Sequence, residues 1–394
     1  MSAAATALGA RLDELLAART GANARFFERE AERTALLCHR IAERFARGGR
    51  LIALGLSPQA RSDVRHVAVE FVHPVIVGKR ALPAIGLSRE GGSLERQVEL
   101  VGQPGDIAIA FDAGAAGALE RAAARGCLTI GYEPLGAEWE FAPPSDDPFV
   151  CQELAETHYH VLWELCHVFF EHRGLLEGRE SRAAHDTGAS SFLYPFLAER
   201  ETDLAGVVED VRRSVLMKAD DVARLREQTL TENREALIAA AETLRRCGTI
   251  LALGNGGSAT DAMDAVADFR EAPQGWPSRA AIDLTEDAAI LTALANDIGT
   301  AAIFQRQVIA YGRQGDALLA LSTSGNSENV LAALAEARRR GLRTVAMVGY
   351  DGGRVAAEEL ADHVIVTRSE HIPRIQEAQA SAYHALRELI ELVE

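Results

Sequence analysis

Two segments of this chain return far downstream, and that repetition limits the folds the chain can adopt. Gly105-Asp-Ile-Ala-Ile-Ala-Phe111 comes back as Gly315-Asp-Ala-Leu-Leu-Ala-Leu321, and Gly126-Cys-Leu-Thr-Ile-Gly-Tyr132 as Gly341-Leu-Arg-Thr-Val-Ala-Met-Val-Gly-Tyr350. Val150-Cys-Gln-Glu153 and Arg374-Ile-Gln-Glu377 each open a last helical stretch. In both copies short runs that are apolar on both faces (Leu51–Leu54, Thr249–Leu253) alternate with segments of helical periodicity. A strand of that kind needs cover on both sides, which is the pattern of a parallel sheet between two helical layers. A period of about 220 residues is a duplicated domain rather than a solenoid.

The expected organisation is a first domain over 1–175, a connector with a helix over 176–217, and a second domain over 218–394. Helices are predicted over 8–47, from Pro58 through Phe71, over 113–125 and over 150–172, with strand pieces at 75–77 and 84–85. The connector holds a polar stretch from Gly178 to Gly188 and an aromatic cluster, Phe192, Tyr194 and Phe196, expected to pack back. A helix should begin near Asp203.

A net charge of −16 without a Lys/Arg-rich run argues against nucleic acid as a partner. No apolar stretch is of membrane-spanning length, and the first residues lack a basic region followed by an apolar core. Five cysteines without paired spacing read as reduced, mostly buried thiols of a cytoplasmic protein.

The richest chemistry lies in Leu321-Ser-Thr-Ser-Gly-Asn-Ser-Glu-Asn-Val330. Ser322, Thr323, Ser324 and Ser327 surround Gly325 where a helix begins, and a helix start offers unpaired N–H groups and a positive dipole end. Hydroxyls added there form a cradle for a dianion such as a phosphate monoester. A lone Ser or Thr at such a place would be a helix cap; four in six positions predict an anion site.

The second half, about 218–394, resembles the sugar-isomerase (SIS) domain, and within it the sedoheptulose 7-phosphate isomerases. The motifs are Gly254-Asn-Gly-Gly-Ser258, Leu294-Ala-Asn-Asp297, Leu321–Ser327, Gly349-Tyr-Asp-Gly-Gly353 and Arg374–Glu377. The first half resembles the same domain through the duplication. The resemblance implies two tandem α/β/α three-layer domains with parallel, flavodoxin-like sheets. It implies a phosphate site at Ser258, Ser322, Thr323, Ser324 and Ser327, with Asn296 and Asp297 in a loop that often faces the family's site; that pair fits turn chemistry equally well. It also implies an acid/base and metal set: a His and a Glu four apart on the helix after the Gly turn, and a Gln and a His eight apart on the last helix.

The second half departs from that set, having Asp264 and Asp268 before Gln376 and His384. With a one-residue gap after Gly55, the first half places His66 opposite Asp264, Glu70 opposite Asp268, and Gln152 and His160 opposite Gln376 and His384. Its own loop, Phe111-Asp-Ala-Gly-Ala-Ala-Gly117, has lost the hydroxyls and sets Asp112 where an anion would need donors, and Ala60 replaces Ser258. Each half keeps what the other has discarded, so one composite site is expected, with the cradle from the second half and the chemistry from the first.

By resemblance, Glu70 is the base and His160 its acid/base partner in an aldose–ketose isomerisation through an enediol, and His66, Glu70, Gln152 and His160 hold zinc. The expected substrate is a phosphosugar, sedoheptulose 7-phosphate, and two chains would reach the family's four-domain core. Two alternatives stand beside it: a non-catalytic SIS module that binds a phosphosugar or a protein partner, and a SIS enzyme for another phosphosugar. His73 and His158 are expected at the surface, as is the helix end Glu336-Ala-Arg-Arg-Arg-Gly341.

Overall fold

The computed structural model describes residues 3–76, 78–171, 175–176, 203–273 and 275–392. The chain divides into two compact units, Ala22–Asp220 and Met1–Gly21 with Asp221–Glu394. The connector segments Gly178–Gly188 and Phe192–Phe196 lie outside the described residues.

The unit Ala22–Asp220 holds β1 (Leu51–Leu54), β2 (Ala84–Leu87), β3 (Ile107–Ala110), β4 (Leu128–Gly131) and β5 (Trp139–Glu140), all parallel in the order β2-β1-β3-β4-β5. The other holds β6 (Ile250–Leu253), β7 (Ala281–Asp283), β8 (Ala317–Ser322), β9 (Arg343–Gly349) and β10 (His363–Thr367), parallel in the order β7-β6-β8-β9-β10. Matched strand for strand, the two orders are the same. The duplication read in the sequence is therefore a duplication of topology, in the 2-1-3-4-5 order of flavodoxin-like sheets. Of the first sheet's strands, Ala84–Leu87 follows from its apolar residues, whereas the two-residue β5 gave no periodic signal.

Matching reaches single hydrogen bonds. Asp106 accepts from the backbone N–H of Arg50 at 2.8 Å and of Gln103 at 3.0 Å, and Asp316 does the same for Thr249 at 2.8 Å and Arg313 at 2.9 Å. In each half a carboxylate after a tight Gly turn thus ties the start of one strand to the next. Gly105 and Gly315 both sit at positive φ, 99° and 90°.

Side chains alternate between two apolar layers, as a pleated strand requires. Leu51, Ala53, Ile107 and Ile109 pack with Val64, Val67 and Leu162, while Ile52, Leu54, Ala108 and Ala110 pack with Leu94, Val98 and Leu119. In the second unit Ile250, Ala252 and Leu319 face Leu237, Val266 and Leu386, and Leu251, Leu253 and Leu318 face Val308 and Leu334. The helices Pro148–Glu171 and Ile372–Leu392 are buried along nearly their whole length. Polar residues on them are therefore held in the interior.

His158 corrects the sequence expectation, for it is fully buried rather than on the surface. Its ring nitrogens meet Thr34 Oγ1 at 3.0 Å and Tyr132 Oη at 2.9 Å, so its polar atoms are satisfied inside the core. The helix end at 336–341 is mixed: Glu336 is buried beneath its Arg339 partner, while Arg338 and Arg339 are exposed as expected. His73 is exposed. The five cysteines are free thiols, three of them buried.

Burial first, and the Arg33 guanidinium second, push the His158 pKa down to about 3. An unfolded His titrates near 6.5, so between those limits only the unfolded chain takes the proton. The stability linked to this site is complete above about pH 6.5 and declines as pH falls toward 3, by about 1.4 kcal/mol per pH unit at most. Urea unfolding of wild type and His158→Phe between pH 7 and 5 checks this. The wild type should lose more stability on acidification than the variant by roughly one proton's worth.

Candidate active site

In a 2-1-3-4-5 sheet the chain leaves adjacent strands in opposite directions at one place, and the loops there frame a crevice. In the second unit those are the loops after β6 and β8, Gly254–Gly257 and Thr323–Ser327. Asn255 and Asn329 join them by reciprocal amide hydrogen bonds of 3.0 and 2.8 Å. Gly325 lies at φ 63°, and a Cβ there would collide with the carbonyl of Gly352; one on Gly353 would collide with Ser324 O. The loop after β9 therefore closes on the hydroxyl loop, and glycine is what lets the two backbones meet.

Ser322 Oγ accepts from Gly325 N at 3.1 Å and Ser324 Oγ from Asn326 N at 3.2 Å. These bonds shape the turn and leave each hydroxyl its proton to donate. Ser327 stands at the N-cap of the helix Glu328–Arg339 and makes no side-chain capping bond, so the capping explanation does not account for it. Thr323, Ser324 and Ser327 are partly exposed; Ser258, in the first turn of the helix Gly257–Arg270, is buried. The hydroxyls, the helix starts and the dipoles suit a dianion. Asn296 and Asp297 are bonded to each other at 2.8 Å on the exposed end of the helix Ala288–Asp297.

In the first unit the corresponding place is filled from within. Asp112, directly after β3, accepts from Leu56 N at 2.9 Å and Ser57 N at 2.6 Å through Oδ2, and from Ala115 N at 3.1 Å through Oδ1. Leu56 and Ser57 lead into the helix Pro58–Val72. A carboxylate of the chain thus takes donors that the start of this helix would otherwise offer an anion.

The one-residue gap after Gly55 has a structural counterpart. A Cβ on Gly55 would strike the carbonyl of Ala60, and one on Gly254 that of Ser258, so Ala60 and Ser258 are equivalent although their spacings differ by one. His66 then matches Asp264, and the partners agree. His66 Nε2 lies 3.3 Å from His160 Nε2, and Asp264 Oδ2 lies 3.2 Å from His384 Nε2. The neighbouring tyrosines occupy matching places but donate to different carboxylates, Tyr159 to Asp63 at 3.3 Å and Tyr383 to Asp264, the counterpart of His66, at 2.7 Å.

Ligand-type side chains meet in two places among the described residues. His66, Glu156 and His160 present one ligand atom each, all within 4.8 Å of one another, and Asp264, Asp268 and His384 do the same; all six are buried. His384 Nε2 is 3.4 Å from Asp268 Oδ2. Of the residues expected to hold zinc, His66 and His160 are brought together. Glu70 is buried one turn from His66 on the same helix and falls outside the first group. Gln152 directs its amide Nε2 to Ser62 Oγ at 3.3 Å and Asp63 Oδ2 at 3.5 Å.

Glu156 was not anticipated. Its signal was the i, i+4 spacing to His160 and from Gln152, which sets all three on one helix face; the motif carried over from the resemblance has no acid at that position, where the second half has Ala380. Two imidazole nitrogens and a carboxylate in an interior fit zinc, or another divalent ion of borderline character. The second group, with two carboxylates and one imidazole, offers a harder donor set.

A SIS-domain family model matches residues 219–349, which defines the second unit as a domain of that class. The same fold extends over the whole chain in tagatose-6-phosphate ketose/aldose isomerase from Escherichia coli, 14% identical, with a TM-score of 0.59 over 99% of this chain and 95% of that one. The phosphoheptose isomerase of Desulfovibrio desulfuricans is 44% identical over 178 residues, 44% of this chain and 84% of the relative. That of Nitratidesulfovibrio vulgaris is 39% identical over 190 residues, 47% of this chain and 90% of the relative. The chain belongs to the phosphoheptose isomerase family, a family of isomerases. It joins a region of such a relative's length to a second, divergent copy of the fold.

Removing the internal carboxylate should cost stability, because charge-assisted bonds to helix-start N–H groups are among the stronger ones. Asp112→Ala should lower the unfolding free energy by about 1–2 kcal/mol, with Asp112→Asn intermediate. Urea denaturation monitored by circular dichroism checks both.

Proposed function

We propose that this chain interconverts a ketose phosphate and an aldose phosphate, with sedoheptulose 7-phosphate as the ketose. The anchor is the hydroxyl loop Ser322–Ser327 with Ser258, and the acid/base chemistry belongs to Glu70 and His160. One observation carries the reading: His66 and His160 meet in the interior of the first half, whereas the second half has Asp264 at the matching position. The half with the intact cradle has lost the family's His/Glu pair, and the half that retains the pair has closed its cradle with Asp112. Neither half by itself has both parts, which supports a composite site drawing on both copies, within one chain or between two.

In the proposed reaction the Glu70 carboxylate takes the proton from the carbon beside the carbonyl. The carbonyl oxygen gains a proton, with His160 as the acid/base partner, and an enediol results. Glu70 then returns its proton to the neighbouring carbon as the other hydroxyl gives one up, so no atom or electron is gained or lost. A divalent ion bound by His66 and His160 with carboxylate help would polarise the carbonyl as a Lewis acid. The cradle fixes the far end of the sugar, and fixing it holds the reacting carbons at the base. Asn296 and Asp297 remain candidates for contacts to the sugar hydroxyls.

Turnover of sedoheptulose 7-phosphate by the purified chain with added zinc tests the proposal. Glu70→Gln should lower kcat by about 10²–10⁴-fold, as expected for loss of a general base. Ser324→Ala should chiefly raise KM, by about tenfold, since it removes one hydrogen bond to a charged group. Activity that survives Glu70→Gln but not Asp268→Asn would return the chemistry to the second half. Phosphosugar binding without any turnover would identify a binding module instead.

A further inference from the structure

The buried centre of the first half contains one carboxylate more than the proposed chemistry used. We infer that its two glutamates have separate tasks: Glu156, with His66 and His160, holds a divalent metal ion, and Glu70 is left as the proton-transferring base. The inference rests on the reading above and specifies how its centre is built.

Distances carry the first part. His66 Nε2 and His160 Nε2 are 3.3 Å apart. Metal–nitrogen bonds of about 2.0–2.1 Å at a tetrahedral angle set ligand atoms about 3.3 Å apart, so the imidazoles already have the spacing of two ligands. Without an ion, one ring must donate to the other to avoid opposing lone pairs. Glu156 supplies an oxygen within 4.8 Å of both nitrogens and is 3% exposed. A buried carboxylate beside two imidazoles suits a divalent ion, whose charge it balances in part.

Helix geometry carries the second part. Glu156 and His160, one turn apart on the helix Pro148–Glu171, project in the same direction, as do His66 and Glu70 on the helix Pro58–Val72. The two helices thus present two imidazoles and two carboxylates, and the compact group includes only one of the carboxylates, Glu156. A carboxylate bound to a cation has given up the lone pair and the basicity that a carbon-bound proton requires. Glu70 lies outside that group and is assigned the proton transfer. The second half is built differently, having Ala380 opposite Glu156 and Asp268, a member of its own group, opposite Glu70.

The test is zinc affinity of the full-length chain, stripped with a chelator and titrated in competition with a chromophoric chelator. His384→Gln is introduced throughout, so that the Asp264, Asp268 and His384 group does not contribute. Glu156→Gln should weaken zinc binding by about tenfold or more and alter the visible spectrum of bound cobalt(II), and Glu156→Asp should restore part of the affinity. Glu70→Gln should bind zinc within about twofold of its parent. Urea midpoints of each variant separate a lost ligand from a lost fold. Zinc retained by Glu156→Gln and lost by Glu70→Gln would overturn the inference, as would a parent chain that takes up no zinc. Turnover is measured separately on chains with His384 intact: a chain that binds zinc through Glu156 yet does not isomerise sinks the proposed function alone. A chain that isomerises with Glu70 as the ligand sinks the inference alone.

Discussion

The start of a helix presents N–H groups that have no partner within the helix, and something must supply one. This constraint governs both copies of the fold at the place where the strand order reverses. The first copy meets it with groups of its own: Ser57 Oγ caps Ala60 N, and the Asp112 carboxylate binds Ser57 N and, just before it, Leu56 N. The second has no such carboxylate in its loop after β8; Gly254 and Gly325 let its loops pack closely, and hydroxyls line them. The buried centres divide along the same line: the copy with Asp112 has His66 and Glu70 where the copy with the hydroxyl loop has Asp264 and Asp268, and a histidine on the last helix, His160 or His384, is common to both.

Much of this was legible in the sequence because the chemistry concerned is local. Continuous apolar runs such as Ile107–Ala110 indicate strands covered on both faces, and Gly105-Asp106 beside Gly315-Asp316 indicates a repeat that the structure repeats bond for bond. The gap after Gly55 corresponds to a real extra residue between Gly55 and Ala60, relative to Gly254 and Ser258, and each glycine presses on the first turn of a helix. What escaped was set by tertiary packing. His158 carries no local mark that distinguishes a core imidazole from a surface one; Thr34 and Tyr132, far away in sequence, satisfy it. Glu156 lies midway between Gln152 and His160, and the eight-residue spacing of that pair conceals a third residue on the same face. Trp139–Glu140 is too short to show any period.

The two buried centres illustrate how a duplicated scaffold diverges without changing its backbone. Tyr159-His160 and Tyr383-His384 occupy equivalent places on equivalent helices, yet the first histidine faces another imidazole and the second faces two carboxylates. Three exchanges, His66 to Asp264, Glu70 to Asp268 and Glu156 to Ala380, alter the donor set from nitrogen-rich to oxygen-rich, and with it the kind of ion or proton the centre suits. Such centres tolerate the exchange because the rigid parts, the sheet and the buried helix, hold the partner atoms at almost the same separation in both copies.

Asp112 has a consequence that reaches beyond the shape of its loop. A ligand that binds only the folded state stabilises it in proportion to the logarithm of its concentration. Where the ligand is a free phosphosugar, that contribution rises and falls with supply. Where a side chain fills the same role, its effective concentration is fixed by the chain itself and cannot be diluted away. Under the proposed function, one copy of the fold has a rigidity independent of metabolite, and the stability of the other would rise with the supply of its phosphosugar.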